Sequence, residues 1–329
     1  MAWRRPLLLP HRRQAGAALL VAMILVTVVS TLAAGMVWQQ WRAVEVEAAE
    51  RARTQSAWIL NGALDWARLI LREDGRTGKM DHLGEPWAVP LAEARLSTFL
   101  AAERSENADD GPEAFLSGDI TDAQSRYNLR NLINADGKVD PAQLTVLQRL
   151  MANTGLSSGL AAQIANGLQQ ALAQPPDAQA PLMPRSIEQL GWLGVDEATR
   201  AKLAPWVVLL PDPSTKVNLN TAPREVLAAV IGVDVASAQR LVIAREQSPF
   251  DDKSKAANML PATGSPAPKF DDTDVKSSYF EVRSRLRLGD QVLEERSLVS
   301  RDSNNNVQPI RRQRVNLALT QAGAGTAAR

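Results

Sequence analysis

The pattern of apolar and polar positions is most informative near the N-terminus. Charged side chains stop at Arg13 and do not resume until Arg42. Within that gap, Ala17 to Trp38 form an uncharged run of 22 residues, which as a helix spans ~33 Å, enough to cross a bilayer core. Because four arginines precede the run, the positive-inside rule keeps the N-terminus in the cytoplasm and exports the rest of the chain.

A helical pattern continues beyond the apolar run. No proline occurs between Ala17 and Leu71, and apolar residues recur at a spacing of three or four as far as Ile70, with glutamates and arginines on the other face. This spacing is typical of an amphipathic helix. The sequence therefore predicts one transmembrane and stem helix over 17–72, ended by Gly75 and Gly78.

The rest of the chain divides by its periodicity into an α+β arrangement with a large inserted all-helical domain. Weak alternation over 113–120 predicts a strand, and alternation from Phe280 onward predicts an antiparallel meander with one basic face. Ser248 to Phe270 is polar and proline-containing and predicts a loop. The predicted segments are a first α/β part (73–132), the helical insert (133–250, with a proline-rich linker at 174–184), the loop and strands that complete the α/β domain (251–318) and a disordered tail (319–329).

Spacing and capping residues predict a series of short helices in the insert. The last two enclose a turn and form a helical hairpin. The predicted helices cover 141–154, 157–173, 196–203, 223–230 and 236–246, with one more beginning at Ser186, where Gln189 completes a capping box.

Composition excludes several kinds of chemistry. The chain has 45% hydrophobic and 22% charged residues and a formal net charge of +1, so no global positive field attracts nucleic acid. The absence of cysteine excludes disulfides and thiolate chemistry, and two histidines leave no histidine-rich metal site. No phosphate loop, dinucleotide fingerprint or nucleophile elbow occurs, so we expect a protein that is not an enzyme.

A polar cluster precedes the predicted helix at 223–230. Asn218, Asn220 and Thr221 stand just before Pro223, and Thr221 as cap with Pro223 in the first turn follows the preferences of helix starts. We interpret these four residues as a structural motif. The hairpin that follows also resembles a helix-hairpin-helix, so a membrane-anchored, competence-like DNA-binding protein remains the alternative function. Its turn, however, has Asp234 where phosphate-binding hairpins have glycine, and a carboxylate there repels phosphate.

Several segments, taken in order, resemble one family. They are Arg12-Arg13-Gln14-Ala15-Gly16 before the apolar run, Met80 to Pro90, Asp122 to Leu132, Val217 to Pro223, Ser278 to Val282 and Leu288 to Asp290. Together they resemble the K-type, large minor pseudopilins (the GspK family) of type II secretion systems.

The N-terminal junction is similar to a type IV prepilin leader. The resemblance implies that a prepilin peptidase cuts between Gly16 and Ala17 and removes a leader of residues 1–16. Pilins usually carry Glu at the fifth mature position, here Val21, and the K-type subunits are the exception. A plain membrane anchor and a signal peptide cut near Gly35 remain the alternatives.

The resemblance also implies a fold and a role. It implies a pilin-like long N-terminal helix packed on a small antiparallel sheet, carrying the helical insert. It further implies a minor pseudopilin at the tip of the pseudopilus that supports export of folded proteins across the outer membrane. The implied partners are the I-type and J-type minor pseudopilins, with the H-type as well, and no nucleic acid. The implied location is the bacterial inner membrane, crossed once, with the C-terminal domain in the periplasm.

Calcium is the one cofactor that the resemblance raises. Family members often carry an acidic loop, whose carboxylates can supply the many oxygen ligands that Ca²⁺ needs. The corresponding stretch here is the proline-rich linker, so that loop is lost. Two acidic clusters flank the loop before the strands instead. As a metal-site hypothesis we consider Asp251, Asp252, Asp271, Asp272 and Asp274.

Overall fold

The computed structural model describes residues 15–96, 114–173, 179–260, 267–288 and 291–317. Residues 1–14 of the predicted leader, the predicted tail and the turn Gly289-Asp290 lie outside the described residues. The chain divides into two compact units, Met1–Trp58 and Ile59–Arg329.

Helix α1 covers Ala15–Thr77, so the predicted stem helix is confirmed and ends at Thr77 rather than at residue 72. In the first unit its most apolar 18-residue window has a mean hydropathy of 2.5, and none of that window is buried. Among the described residues α1 is the one unbroken helix long and apolar enough to cross a membrane.

The last turns of α1 belong to the second unit and bury a single stripe. Leu60, Leu64, Ala67 and Leu71 are each 5% exposed or less, at the three-or-four spacing of one helix face. The helix passes through Gly75, and its end is closed by the Gly78 N–H, which donates to the Asp74 carbonyl at 2.7 Å.

Five antiparallel strands form the sheet of the second unit, in the order β1-β2-β7-β8-β9. The predicted meander is confirmed, because β7 pairs with β8 and β8 with β9, whereas the sequence pattern missed β1. Their bounds are β1 Leu91–Arg95, β2 Ala114–Asp122, β7 Tyr279–Leu288, β8 Gln291–Arg301 and β9 Val307–Leu317.

One face of the sheet packs on α1 and the other carries arginines. Phe280 and Val282 of β7 contact Leu64, Leu71 and Trp87 in one apolar cluster, and the Trp87 and Phe280 rings meet edge to face at 5.3 Å. On the opposite face Arg283 and Arg285 are exposed, as the alternating pattern predicts.

The helical layer contains the larger core. Its helices are α2 Pro141–Asn153, α3 Ser158–Leu172, α4 Glu197–Leu203, α5 Arg224–Ile231, α6 Val235–Gln247 and α7 Lys253–Asn258, with a 3-10 helix at Ile187–Leu193. Five of the predicted helices are confirmed within a few residues. The helix expected from Ser186 is a 3-10 helix, and the Ser186 side chain makes no capping hydrogen bond.

The predicted loop at 248–270 is wrong in its middle. Asp252 accepts a hydrogen bond from the Ser254 N–H and begins α7, whose Ala256 is fully buried in the core of the helical layer. The polar composition concealed a helix that buries only one small side chain.

Two short pairs of parallel strands connect distant segments of the helical layer. Tyr127–Asn128 (β3) pairs with Val207–Val208 (β4), and Val217–Asn218 (β5) pairs with Thr273–Asp274 (β6). Each pair joins segments more than fifty residues apart in sequence, so local patterns cannot predict them.

Candidate functional site

The anchoring residues lie at the start of α1. Gly16 and Ala17, the predicted cleavage site, both fall within the helix. Val21, at the fifth position after that site, is 56% exposed, and the segment from Ala17 to Trp41 carries no carboxylate. The first charged residue after Arg13 is Arg42, which lies over the Trp38 ring at 4.2 Å.

A buried polar junction joins the sheet to the helical layer, and Asp122 is its centre. The Asp122 carboxylate accepts hydrogen bonds from the Gln124 N–H, from Asn218 Nδ2, and from the hydroxyls of Thr221 and Ser277, over 2.5–3.0 Å. Burial raises the pKa of Asp122, and the hydrogen bonds from Thr221 and Ser277 oppose that rise. Because buried polar groups are costly unless paired, these donors stabilise the carboxylate.

Asn218 and Asn220 hold the loop before α5. Asn218 Nδ2 also donates to the Asp81 carbonyl at 3.0 Å, and its Oδ1 accepts from the Asn220 N–H at 2.9 Å. Asn220 Nδ2 donates to the Phe250 carbonyl at 2.9 Å, and its Oδ1 accepts from the Phe250 N–H at 2.8 Å. The interpretation of these asparagines as structural is therefore supported by their contacts.

The expected capping role of Thr221 is wrong. The residue at the N-cap of α5 is Pro223, with no side-chain hydrogen bond to the helix, and the Thr221 hydroxyl donates to Asp122 instead. The Thr221 hydroxyl therefore binds Asp122, which lies 99 positions away in sequence, and does not cap the neighbouring helix.

The buried polar junction has a second part, which is centred on Arg301, the last residue of β8. Arg301 is 7% exposed. Its Nη1 donates to Asp74 Oδ2 at 2.9 Å and to the Leu71 carbonyl at 3.2 Å, and its Nη2 donates to the Ser277 carbonyl at 2.9 Å and to Asp81 Oδ1. This one side chain therefore joins α1, the loop after it and the sheet.

A third carboxylate, Glu85, lies beside the two that pair with Arg301. Oxygens of Asp74, Asp81 and Glu85 lie within 4.8 Å of one another. Burial raises the pKa of Asp74 to about 7, with the charges of Glu85 and Asp81 adding to the rise and Arg301 opposing it. Burial and the two neighbouring carboxylates thus outweigh Arg301 in their effect on the pKa of Asp74.

This cluster does not fit a calcium ion. Ca²⁺ takes six to eight oxygen ligands, whereas the carboxylates here already accept from Arg301, from the Ser277 N–H, and, at Glu85, from the His82 N–H and Trp87 Nε1. The guanidinium supplies the positive charge that a metal would bring.

Four of the five aspartates of the metal-site hypothesis have separate partners, and the fifth, Asp271, is exposed. Asp251 pairs with Lys255 at 2.7 Å and Asp252 caps α7; Asp272 accepts from Gln143, and Asp274 lies 3.8 Å from Lys216. Within the described ranges, the only group of three acidic residues close enough to share a metal is the Arg301 cluster. Calcium binding at Asp251, Asp252, Asp271, Asp272 and Asp274 stays a prediction that this geometry does not favour.

The helical hairpin is built as part of the core. Every residue of α5 from Val226 to Ile231 is buried, and α6 follows at a bend of 119°. Gly232 makes the turn with φ +82°, and Asp234 accepts hydrogen bonds from the Ser237 N–H and hydroxyl at the start of α6. The position where a DNA-binding hairpin would bind phosphate is thus occupied by the protein's own carboxylate.

Arg245, one of the few cations near the hairpin, is buried. Its Nη1 donates to the carbonyls of Leu219 and Ala222, both at 2.6 Å, and burial lowers its pKa to about 10. It is a structural arginine that supports the loop before α5, and it is not available to a ligand.

An apolar groove runs beside the buried stripe of α1. It has a volume of about 260 Å³ and lies between α1, the turn Pro86–Ala88 and the strands β1 and β2. Trp66 and Val89, two of its lining residues, are 49% and 68% exposed. Exposed apolar surface of this kind is typical of a protein-binding site. We call it the stem groove; its lining includes Ala63, Trp66, Ile70, Pro86, Val89 and Ile120.

Sequence reasoning missed Arg301, Asp81 and Asp122 as members of one site. The segments that contain Asp81 and Asp122 stood out as family-like, but no spacing linked them to Arg301, which lies 220 residues after Asp81. A single arginine at the end of a basic strand carries no local signal that it will be buried.

Comparison with known proteins identifies what the chain is similar to. Residues 125–212 and 217–276 match two models of the family described as "Type II secretion system (T2SS), protein K". A Type II secretion system protein K of Pseudomonas aeruginosa is 30% identical over 307 residues, covering 85% of this chain and 87% of that protein. One from Aeromonas hydrophila is 26% identical over 336 residues, covering 92% and 97%.

A solved structure has the same fold. It is the crystal structure of the GspK–GspI–GspJ complex from the type 2 secretion system of enterotoxigenic Escherichia coli. The similarity covers 82% of this chain and 99% of the matched chain, with a TM-score of 0.58 and 19% sequence identity. The long helix, antiparallel sheet and helical layer are therefore an arrangement already seen in a solved protein.

Proposed function

The chain belongs to the type II secretion system protein K family, and from this premise we propose that it is the minor pseudopilin at the tip of a pseudopilus. In this proposal it binds I-type and J-type minor pseudopilins and supports export of folded proteins across the outer membrane. The family resemblance found in the sequence is thereby confirmed, whereas the tip position, the partners and the export role are the proposal.

The apolar first part of α1 supports membrane anchoring. Its exposed apolar residues between Ala17 and Trp38 match the length of a bilayer core, with arginines on the N-terminal side. We infer a single span with a cytoplasmic N-terminus and a periplasmic second unit. Val21 stands where pilins usually have Glu, so the span contains no carboxylate at this position. An unpaired carboxylate in lipid would cost free energy.

The stem groove carries the proposal of partner binding. Trp66 and Val89 expose apolar surface beside a helix face that is already packed on the sheet. Ala63, which is only partly buried, has a small side chain in the same groove and lets another helix approach closely. A second amphipathic stem helix from an I-type or J-type subunit is an occupant of matching shape and chemistry.

Processing is tested by intact mass. Co-expression with a prepilin peptidase should remove residues 1–16 and leave Ala17 as the new N-terminus. An uncut chain would leave an ordinary membrane anchor, and a cut near Gly35 would indicate a secreted protein and refute the pseudopilin assignment.

Partner binding is tested with a matched pair of tryptophans. Trp66→Glu, made in the full chain and co-expressed with I-type and J-type subunits, should reduce their co-purification at least tenfold, because it places a charge in the apolar groove. Trp192→Glu is the control, since Trp192 is 47% exposed in the helical layer, away from the groove. Equal recovery of partners with both variants would contradict binding at the stem groove.

A further inference from the structure

A second cavity lies between the helical layer and the last strand of the sheet. It has a volume of about 400 Å³, within the usual size range of ligand sites. Leu172 closes one side, Met183 and Pro184 another, and Ile310 of β9 a third. All the described residues around it belong to the second unit.

Its charged residues are all of one sign. Arg130, Arg185 and Arg311 line the cavity, and none of the described residues that line it is acidic. Neither Arg130 nor Arg185 forms an ion pair within the ranges that the structure describes. Arg311 also acts on the carboxylate of Glu188, whose pKa it helps to lower. Arg130 and Arg185 are therefore the cations that most favour a negatively charged group in the cavity.

Arg130 is the most informative of the three. Its Nη1 is buried and has no hydrogen-bond partner among the described residues. Burial also lowers the pKa of this guanidinium below its usual range. An unsatisfied buried donor is rare in folded proteins and costs free energy, more so when the group is charged. One donor of this half-buried guanidinium therefore lacks a partner among the described residues.

A local irregularity of β9 forms part of the wall. The pairing of β8 with β9 shifts between Leu298 and Val299, so that Ile310 is the extra residue of a bulge. Bulges turn a side chain away from its regular direction. Ile310 is 44% exposed and lines the cavity, so an apolar side chain stands at the mouth of a cationic pocket.

We propose that this cavity binds a carboxylate carried by a short acidic and apolar peptide segment of a partner protein. The carboxylate pairs with Arg130, assisted by Arg185 and Arg311, and a neighbouring apolar side chain packs on Leu172, Met183 and Ile310. Guanidinium and carboxylate match as a bidentate, charge-assisted pair. The apolar walls favour such a segment over a nucleic-acid phosphate, which is bordered by polar sugar. The site is separate from the stem groove and does not depend on it.

The test uses the full chain in lipid nanodiscs and three dye-labelled pentapeptides. The first is Ala-Leu-Glu-Leu-Ala with an amidated C-terminus, the second replaces Glu by Gln, and the third is the Gln peptide with a free C-terminal carboxylate. Fluorescence anisotropy measures affinity, and the Met183 methyl resonance reports on the cavity. We expect the Glu peptide to bind at least tenfold more tightly than the amidated Gln peptide and to shift the Met183 resonance.

The third peptide separates the two sources of a carboxylate. Binding of the Glu peptide alone assigns the site to an acidic side chain, and binding of the free C-terminus assigns it to a chain end; both support the proposal. Equal affinities for the charged and neutral peptides would overturn the proposal. A water molecule would then satisfy the Nη1 of Arg130 as well as a carboxylate does.

Variants complete the test. Arg130→Met should abolish the carboxylate preference, whereas Arg285→Met, which removes an exposed arginine outside the cavity, should retain it. Met183→Glu supplies a carboxylate from within the chain, so it should raise the melting temperature and block the peptide. Loss of binding in both arginine variants would contradict the proposal, and so would dimerisation that depends on Arg130, since it would make a second copy the occupant.

Discussion

The Arg301 cluster makes the sharpest prediction about stability. Arg301→Met keeps a long apolar side chain next to Phe280 but removes the donors that satisfy Asp74 and Asp81. The Arg301 and Asp81 side chains are only 6% and 3% exposed, so the substitution leaves buried carboxylates without a cation. Breaking a buried ion pair in this way costs about 3–5 kcal/mol, and we expect a loss of that size in the free energy of unfolding at pH 8.

The loss should depend on pH in a defined direction. The pKa of Asp74 is raised from its ordinary value of 3.8 to about 7 in the folded chain. Between these values the folded chain binds more protons than the unfolded chain, so the stability that this group contributes is present at low pH and is lost as pH rises through 7. Arg301 opposes the rise, so removing it moves the pKa of Asp74 still higher.

The substitution should therefore cost less at pH 5, where the carboxyl is protonated and needs no cation. A difference of about 1 kcal/mol or more between pH 8 and pH 5 is expected, since one pKa unit corresponds to about 1.4 kcal/mol.

The assay is urea denaturation of the full chain in nanodiscs, followed by tryptophan fluorescence at both pH values. Arg283→Met is the matched control, because Arg283 is 53% exposed and pairs with Asp119 at 2.6 Å on the outer face of the sheet. Exposed pairs contribute about 0–1 kcal/mol. Equal losses in the two variants, or a loss in Arg301→Met that grows toward pH 5, would refute the reasoning.

Substitutions at four further positions are tested by the same denaturation assay. Arg245→Met should cost about 2 kcal/mol, because it leaves two buried carbonyls without their donor; an unchanged midpoint would mean that water replaces the guanidinium. Thr221→Ala should cost about 1–2 kcal/mol by removing the hydroxyl that donates to Asp122, while Thr221→Ser should retain most of the stability; equal losses would point to the methyl group. Gly118→Ala should destabilise by about 1–3 kcal/mol, since its Cβ would meet a carbonyl oxygen of the neighbouring strand at 2.5 Å. Gly62→Ala, with open space around it in α1, should gain about 0.5–1 kcal/mol, and a loss there would contradict the helix-propensity argument.

The comparison of sequence and structure separates features with local causes from features without them. The stem helix, five helices of the insert and the strands β2, β7, β8 and β9 follow from apolar periodicity, because a helix or strand must turn one face to a core. The family also could be identified from the sequence, since its short motifs occur in a specific order along the chain.

Other features had no local signal. The helix at Lys253–Asn258 buries a single alanine in a polar segment, so its periodicity is too weak to detect. Strand β1 is an edge strand whose five residues are exposed or partly exposed without regular alternation, so pairing with β2 decides its conformation. Thr221 was expected to cap a helix because capping is the commonest local use of threonine, whereas a distant carboxylate offered a better acceptor.

By itself the sequence determined most of the helices and strands, the apolar run long enough to span a membrane and the family, because these depend on residues close together in the chain. Only the tertiary structure decided which charges are buried and with whom. Arg301 meets Asp74 and Asp81 from more than two hundred residues away, while the buried Nη1 of Arg130 has no hydrogen-bond partner among the described residues. The physical reason is that the cost of burying a charge depends on all the groups around it, and those groups come together only when the whole chain folds.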